Sequence, residues 1–190
     1  DSSQEEFLSA NVKLINRYAS RLNIEHKIYN EDISFLKKVK EGLSGVTGFD
    51  FVAIAADDDY LVLDTAKKCI RFLMASKNHV SAAGALIKMD ISARNVEGIR
   101  KTILPATCLS GNAIIRGECY VKNRKQRFYG VHRKQAFVDS VQDAIYTKMD
   151  EVDLFTEFFL YLSFMMRGKF FCVKEVGYIQ LIHDKSSSKN

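Results

Sequence analysis

The spacing of hydrophobic and polar residues changes repeatedly along the chain, and these changes predict an alternation of helices and strands. Apolar residues at helix-like intervals predict helices over about 3–22, 34–43, 64–76, 136–146 and 150–168. Short alternating or continuous apolar runs predict strands over 24–29, 51–56, 80–89, 128–132 and 170–181. Such alternation is typical of an α/β fold, here a mixed, mostly parallel sheet flanked by helices.

The strand predicted over 51–56 is the centre of this arrangement. Its residues are small or β-branched throughout, as in a strand covered on both faces, and it ends in Asp57, Asp58 and Asp59. Ligands of open α/β sheets bind beyond the carboxyl ends of the strands. Alternation along an extended segment places Asp57 and Asp59 on one side, where they could share Mg²⁺ or Mn²⁺. The alternative is an ordinary Asp-rich connector that caps the next helix.

The helix predicted over 150–168 is apolar on nearly every side, which indicates burial. Asp153 and Glu157 are spaced i, i+4, and Asp150 lies one turn earlier, so these carboxylates share one face near the amino end. A carboxylate among apolar neighbours acquires a raised pKa, which suits a general base. In the alternative interpretation, Asp150 or Asp153 caps the helix and Glu157 is exposed.

The pattern weakens over 90–127, which predicts an insertion or a mobile loop, and the only proline lies there. The end of this segment is basic, and so are the residues just beyond it. They form either a patch that attracts phosphates or a solvated loop, since runs of charge are most often solvated. The residues are Lys122, Arg124, Lys125, Arg127, Arg133 and Lys134.

Composition narrows the class of protein. A hydrophobic content of 47% can supply a core, and 28 basic against 23 acidic residues give a net charge of +5, which favours phosphate-bearing ligands without indicating a nucleic-acid-binding protein. The four cysteines show no metal-binding spacing and predict reduced thiols in the cytoplasm. The chain contains no apolar run of membrane-spanning length. The tail over 185–190 is polar and predicted to be frayed.

Four segments in order carry a resemblance to a known family. ADDDYLVLDTAKKCIRFL, VSAAG, FYGVHR and FTEFFLYLSFMMRGK are similar in order and spacing to the second half of bacterial family 2-like glycosyltransferases with the GT-A fold. The resemblance covers most of the chain. It implies one catalytic domain over 1–190, with a GT-A-like (Rossmann-like) architecture, in which the first strand and helix of the family domain are missing.

The resemblance also implies roles for particular residues. Asp57 and Asp59 match the metal-binding carboxylates of the family's DxD motif, with Asp58 between them. Glu157 matches the acidic position of the late helix that supplies the general base. The family often has Glu-Asp there, whereas Phe158 follows Glu157 in this chain, so Asp153 stays as the second candidate.

Phosphate contacts form a further expectation. Gln180 stands where many relatives have an arginine late in the last strand. Arg133 or Lys169 is the candidate replacement, and His132 and Arg133, at the end of their strand, are candidates for lining the acceptor or phosphate side. Both could equally be structural.

The implied function is transfer of a sugar from a nucleotide-diphosphate donor to a hydroxyl of a glycan or lipid-linked acceptor, with a Mn or Mg cation and inversion at the sugar. The implied setting is bacterial polysaccharide biosynthesis in the cytoplasm or at the inner face of the membrane, without nucleic acid. Two alternatives stay open. One is another Mg-dependent enzyme of phosphate or nucleotidyl transfer, although no GxxxxGK[ST] pattern occurs. The other is a degenerate, non-catalytic domain that binds anionic ligands.

Overall fold

A computed structural model describes residues 5–30, 33–56, 58–92, 95–123, 129–148 and 153–183. The chain divides into two compact units, Asp1–Val46 and Thr47–Asn190. The first unit contains α1 (Glu5–Tyr18) and α2 (Phe35–Gly45). The strand predicted over 24–29 is wrong, because this segment is irregular. A strand requires a hydrogen-bonded neighbour, and the described part of this unit contains helices as its only regular elements.

The second unit holds one six-stranded sheet. The strands are β1 (Phe51–Ala53), β2 (Tyr60–Leu61), β3 (His79–Ser92), β4 (Asn95–Ile103), β5 (Val131–Arg133) and β6 (Lys169–His183). Their order is β1-β5-β3-β6-β2, and β4 also pairs with β3. The helices are α3 (Leu63–Ala75), α4 (Ala113–Asn123), α5 (Lys134–Tyr146) and α6 (Asp153–Arg167). The protein is therefore mixed α/β, as predicted, with helices flanking a mixed sheet.

The strand directions differ from the prediction. β3 and β6 run parallel, whereas the pairs β1–β5, β3–β5, β3–β4 and β2–β6 are antiparallel. The prediction of a mostly parallel sheet is therefore wrong. It relied on the apolar run at 51–56, but β1 has only three residues, is partly exposed and lies at the end of the strand order. An apolar run indicates burial and leaves strand direction undetermined.

The long strands β3 and β6 form the centre of the sheet, and their small residues permit an unusually close approach. A Cβ atom placed on Gly84 would lie 2.6 Å from the backbone nitrogen of Gly177 and 2.5 Å from the carbonyl oxygen of Glu175. The register between the strands shifts at this point. Small residues on both strands therefore allow the two backbones to lie this close together.

The segment predicted as an insertion or mobile loop, 90–127, contains the end of β3, all of β4 and all of α4. It is therefore largely regular where the structure describes it. The alternation of apolar and polar residues that predicts a strand is weak in β4, because the apolar Val96 and Ile99 are both more than half exposed. Cys108 and Cys119 form a disulfide here, so the prediction of four reduced thiols is wrong for this pair, while Cys69 and Cys172 are free.

The helices of the described ranges are all too short or too polar to cross a lipid bilayer. This agrees with the prediction of no transmembrane segment. The tail over 185–190 lies outside the described residues.

Candidate functional site

Asp59 is held against the last strand of the sheet by two hydrogen bonds. Its Oδ1 accepts from the backbone N–H of Leu181 at 2.8 Å, and its Oδ2 accepts from the hydroxyl of Tyr178 at 3.1 Å. The same hydroxyl accepts from the backbone N–H of Ala56 at 3.0 Å. The turn between β1 and β2 is therefore tied to β6, and the position of the Asp59 carboxylate is fixed. Asp58, the preceding residue, is exposed.

Tyr129 lies among the carboxylates that the sequence singled out. Its ring stacks on Tyr178 with 3.9 Å between the ring centroids. Burial raises the pKa of Tyr129, and the negative charges of Glu157, Asp59 and Asp58 raise it further. The acidic turn and the amino end of α6 therefore both act on Tyr129, and we call the region around Asp59, Tyr129 and Glu157 the recess. The sequence predicted this proximity only through the resemblance.

Glu157 lies near the amino end of α6. Its side chain reaches solvent, yet its surroundings remove part of its hydration, and this desolvation raises its pKa. The positive charge of Lys88 acts in the opposite direction and lowers that pKa. A carboxylate with increased proton affinity that remains accessible is chemically suited to accept a proton from a hydroxyl.

Lys88 is the member of this recess that sequence reasoning missed. It lies in β3 directly opposite Gln180 of β6. Burial and the nearby charge of Lys101 lower its pKa, whereas the charges of Glu157 and Asp59 raise it. A signal was present in the sequence, since Lys88 interrupts a strand of otherwise small or apolar residues between 80 and 89.

His132 lies in the core rather than in the recess. Its side chain is 0% exposed, its Nδ1 is 2.9 Å from the hydroxyl oxygen of Ser81, and its ring stacks on Phe137. The edge of Phe164 also contacts it. A side chain without solvent access cannot contact a bound sugar donor or a bound sugar acceptor. The structural interpretation of His132 therefore replaces the prediction that it lines the site.

Arg133 is likewise occupied by the protein itself. Its guanidinium donates to the carbonyl oxygens of His79 at 2.8 Å and Leu73 at 2.5 Å. A further bond reaches the carbonyl oxygen of Ser76, so Arg133 satisfies carbonyls at the carboxyl end of α3. Lys169 begins β6, at the opposite end of that strand from the partner of Asp59. Neither Arg133 nor Lys169 therefore supplies a positively charged side chain to the recess.

Several predicted residues fall outside what the structure describes. Asp57, Asp150 and the basic stretch over 124–127 lie outside the described residues. Asp153 is the first residue of α6, and its side chain is also outside the description. Lys122 forms an exposed i, i+4 ion pair with Glu118. The second candidate base and the first metal-binding carboxylate therefore stay predictions.

The capacity of the recess for a metal can be assessed from its oxygen atoms. The described ranges contain no group of three or more His, Cys, Asp or Glu side chains that could hold a metal. Both oxygens of Asp59 accept hydrogen bonds from β6, which orient the carboxylate. Mg²⁺ sites commonly use one or two carboxylates and complete the shell with water and substrate phosphates. Asp59 fits that incomplete kind of donor set.

Comparisons with known proteins supply no further guide to the site. No family model matches the chain, and no curated protein matches it.

Proposed function

We propose that the chain is a metal-dependent glycosyltransferase with a GT-A-like fold, which transfers a sugar from a nucleotide-diphosphate donor to a hydroxyl acceptor. One observation carries the proposal. Asp58 and Asp59, which follow β1, and Glu157, which belongs to α6, all raise the pKa of the same tyrosine, Tyr129. Two acidic groups that are distant in sequence therefore lie around one recess, which is the arrangement that donor activation and acceptor deprotonation require.

The residues of the recess have distinct roles under this proposal. Asp59, together with Asp57 and Asp58, would hold a Mn or Mg cation. That cation would supply Lewis-acid stabilisation of the charge on the leaving diphosphate. Glu157 accepts the proton of the acceptor hydroxyl, and its raised pKa favours that transfer. Tyr178 orients the carboxylate of Asp59 through their hydrogen bond.

The proposal is tested by calorimetric titration of UDP and GDP, with and without Mn²⁺, into the wild-type protein and into variants. Asp59→Asn retains an oxygen that can accept a hydrogen bond but removes the charge, and Asp57→Asn tests the neighbouring position. We expect metal-dependent binding by the wild type and a loss of about ten-fold or more in each variant, because hydrogen bonds and metal bonds to a charged group are the strong ones. Asp64→Asn is the control, since Asp64 forms only an exposed ion pair in α3.

The non-catalytic alternative has one observation in its favour. Both oxygens of Asp59 already accept hydrogen bonds within the protein, which is also how a purely structural carboxylate is used. In that case Asp59→Asn lowers the unfolding temperature, and nucleotide binding by the wild type is absent or independent of Mn²⁺. Metal-dependent binding that Asp59→Asn abolishes at unchanged unfolding temperature excludes this alternative.

A further inference from the structure

Two lysines face each other across neighbouring strands of the sheet. Lys88 of β3 and Lys101 of β4 are direct partners in the antiparallel register. Directly opposed residues project from the same face of a sheet, and like charges in this position destabilise the pair. The charge of Lys101 accordingly lowers the pKa of Lys88. The chain therefore maintains an unfavourable juxtaposition in the middle of a long strand pair.

The carboxylates of Glu157 and Asp59 offset part of the charge of Lys88 but form no ion pair with it among the described residues. Arg100, at the bulge beside it, forms an ion pair with Asp90 at 2.6 Å. Within the described part of the chain, Lys88 and Lys101 form no comparable bond. Lys88 is half-buried, so its charge is costly there, whereas Lys101 is exposed and can move toward a ligand. A bound anion would relieve the repulsion through charge-assisted hydrogen bonds to both ammonium groups.

The pair borders the acidic recess. Met89, the residue after Lys88, is the register partner of Leu181, whose backbone N–H donates to Asp59 at 2.8 Å. The charges of Glu157 and Asp59 act on Lys88 as well. On its other side, Lys88 is the register partner of Gln180, and the side-chain oxygen of Gln180 is buried without a hydrogen-bond partner among the described groups. Cationic and acidic groups therefore meet at one edge of the recess, as expected where a phosphate group and a divalent cation bind side by side.

We propose that Lys88 and Lys101 form a phosphate subsite, which holds a phosphate group of the ligand bound in the recess of Asp59 and Glu157. Lys88 is the fixed cation of this subsite, and Lys101 is the mobile one that closes over the anion. The identification of the ligand as a nucleotide-diphosphate sugar or a phosphorylated acceptor rests on the proposed function. The phosphate chemistry itself rests on the two lysines.

The test compares Lys88→Met, Lys101→Met and a control, Lys174→Met, in the complete chain. Lys174 is an exposed lysine of β6 outside the pair. Unfolding temperatures are measured in phosphate-free buffer and with inorganic pyrophosphate, because a ligand that binds only the folded state raises that temperature. We expect pyrophosphate to stabilise the wild type and the control but neither pair variant. Without ligand, Lys101→Met should unfold at a higher temperature than the wild type because it removes the repulsion.

Titration then identifies the source of the phosphate. The probes are UDP and GDP with Mn²⁺, and glycerol 3-phosphate added after UDP or GDP. A loss of about ten-fold or more in nucleotide affinity in both pair variants places the subsite on the donor. A loss of affinity confined to glycerol 3-phosphate places the phosphate subsite on the acceptor. Wild-type affinities in Lys101→Met for every probe would overturn the proposal, even if Lys88→Met failed to fold.

Failure of the subsite can be separated from failure of the proposed function. If pyrophosphate binding depends on the lysines but nucleotides bind without regard to Mn²⁺, the subsite holds and the glycosyltransferase proposal fails. If nucleotides bind with Mn²⁺ and the lysine variants bind them equally well, the subsite fails and the proposed function is unaffected.

Discussion

At the scale of single residues, the basic side chains show why charge in a sequence is an incomplete guide to ligand binding. Arg116 is 6% exposed and donates to the carbonyl oxygens of Met165 and Met166 at the carboxyl end of α6. Arg133 serves the end of α3 in the same way. Neither use is visible in the sequence, because it depends on which helix ends lie nearby. Lys88, which lies directly opposite Lys101 and is acted on by the charges of Glu157 and Asp59, is the stronger candidate for ligand binding.

Glu157 gives a prediction about pH. Desolvation raises its pKa, so the folded state binds this proton more tightly than the unfolded chain does. The charged form therefore destabilises the fold at pH values above the raised pKa, and the effect is absent below the ordinary pKa of about 4.3, where both states are protonated. We expect Glu157→Gln to raise the unfolding temperature at neutral pH, with a gain that disappears as the solution is acidified.

The size of this gain is limited by solvent. Because Glu157 is accessible, we expect less than about 1 kcal/mol at pH 7. Thermal unfolding of the wild type and the variant from pH 4 to pH 8 measures it. Glu118→Gln, in an exposed ion pair of α4, is the control and should show no such gain. A difference between wild type and Glu157→Gln that stays constant with pH would show that desolvation of the carboxylate is not its cause.

At the scale of helices and strands, the local sequence pattern predicted which elements form better than it predicted which strands pair with each other. The helices α3 and α5 begin within two residues of their predicted starts, because their apolar periodicity is local information. β2 was missed because it has only two residues, and its order comes from pairing with β6. β4 was missed because its outward face carries exposed Val96 and Ile99 instead of polar residues. Pairing of strands depends on distant partners, which periodicity does not encode.

The contact between β3 and β6 gives a prediction about packing. Gly84→Ala would place a methyl group 2.5 Å from the backbone carbonyl oxygen of Glu175, and a backbone atom cannot move aside as a flexible side chain can. We expect a loss of about 1 to 3 kcal/mol in the free energy of unfolding, the usual cost of overpacking. Gly98→Ala is a matched control in β4, where no atom lies within 4 Å of the added methyl group. Chemical denaturation of both variants measures the difference.

Equal stabilities of Gly84→Ala and Gly98→Ala would contradict the close approach of β3 and β6. The result bears on the site as well, because β6 carries Tyr178 and Leu181, which donate hydrogen bonds to Asp59. A shift of β6 away from β3 would move the tyrosine that orients the carboxylate. Gly84→Ala should therefore also weaken Mn²⁺-dependent nucleotide binding.

At the scale of the whole molecule, the sequence predicted the class of fold and the acidic components of the site but not the arrangement that joins them. The mixed α/β class follows from local periodicity. Asp59 and Glu157 were selected for their residue types and positions, and their shared influence on Tyr129 appears only in three dimensions. Tyr129, Tyr178 and Lys88 escaped sequence reasoning because they resemble ordinary strand residues until β3 and β6 are paired.

The division of the chain into Asp1–Val46 and Thr47–Asn190 gives the last prediction, because it bears on the expectation of a single domain over 1–190. The second unit contains every strand of the sheet and every described residue of the recess. A layer of helices on a sheet with its own buried core is the usual basis of independent folding.

We therefore expect residues 47–190, produced alone, to unfold cooperatively and to retain Mn²⁺-dependent nucleotide binding within a few-fold. Near-ultraviolet circular dichroism and calorimetry measure both properties against the complete chain. A truncated chain without fixed tertiary structure would contradict this expectation and would support a single domain, in which the two amino-terminal helices are required for the sheet to fold.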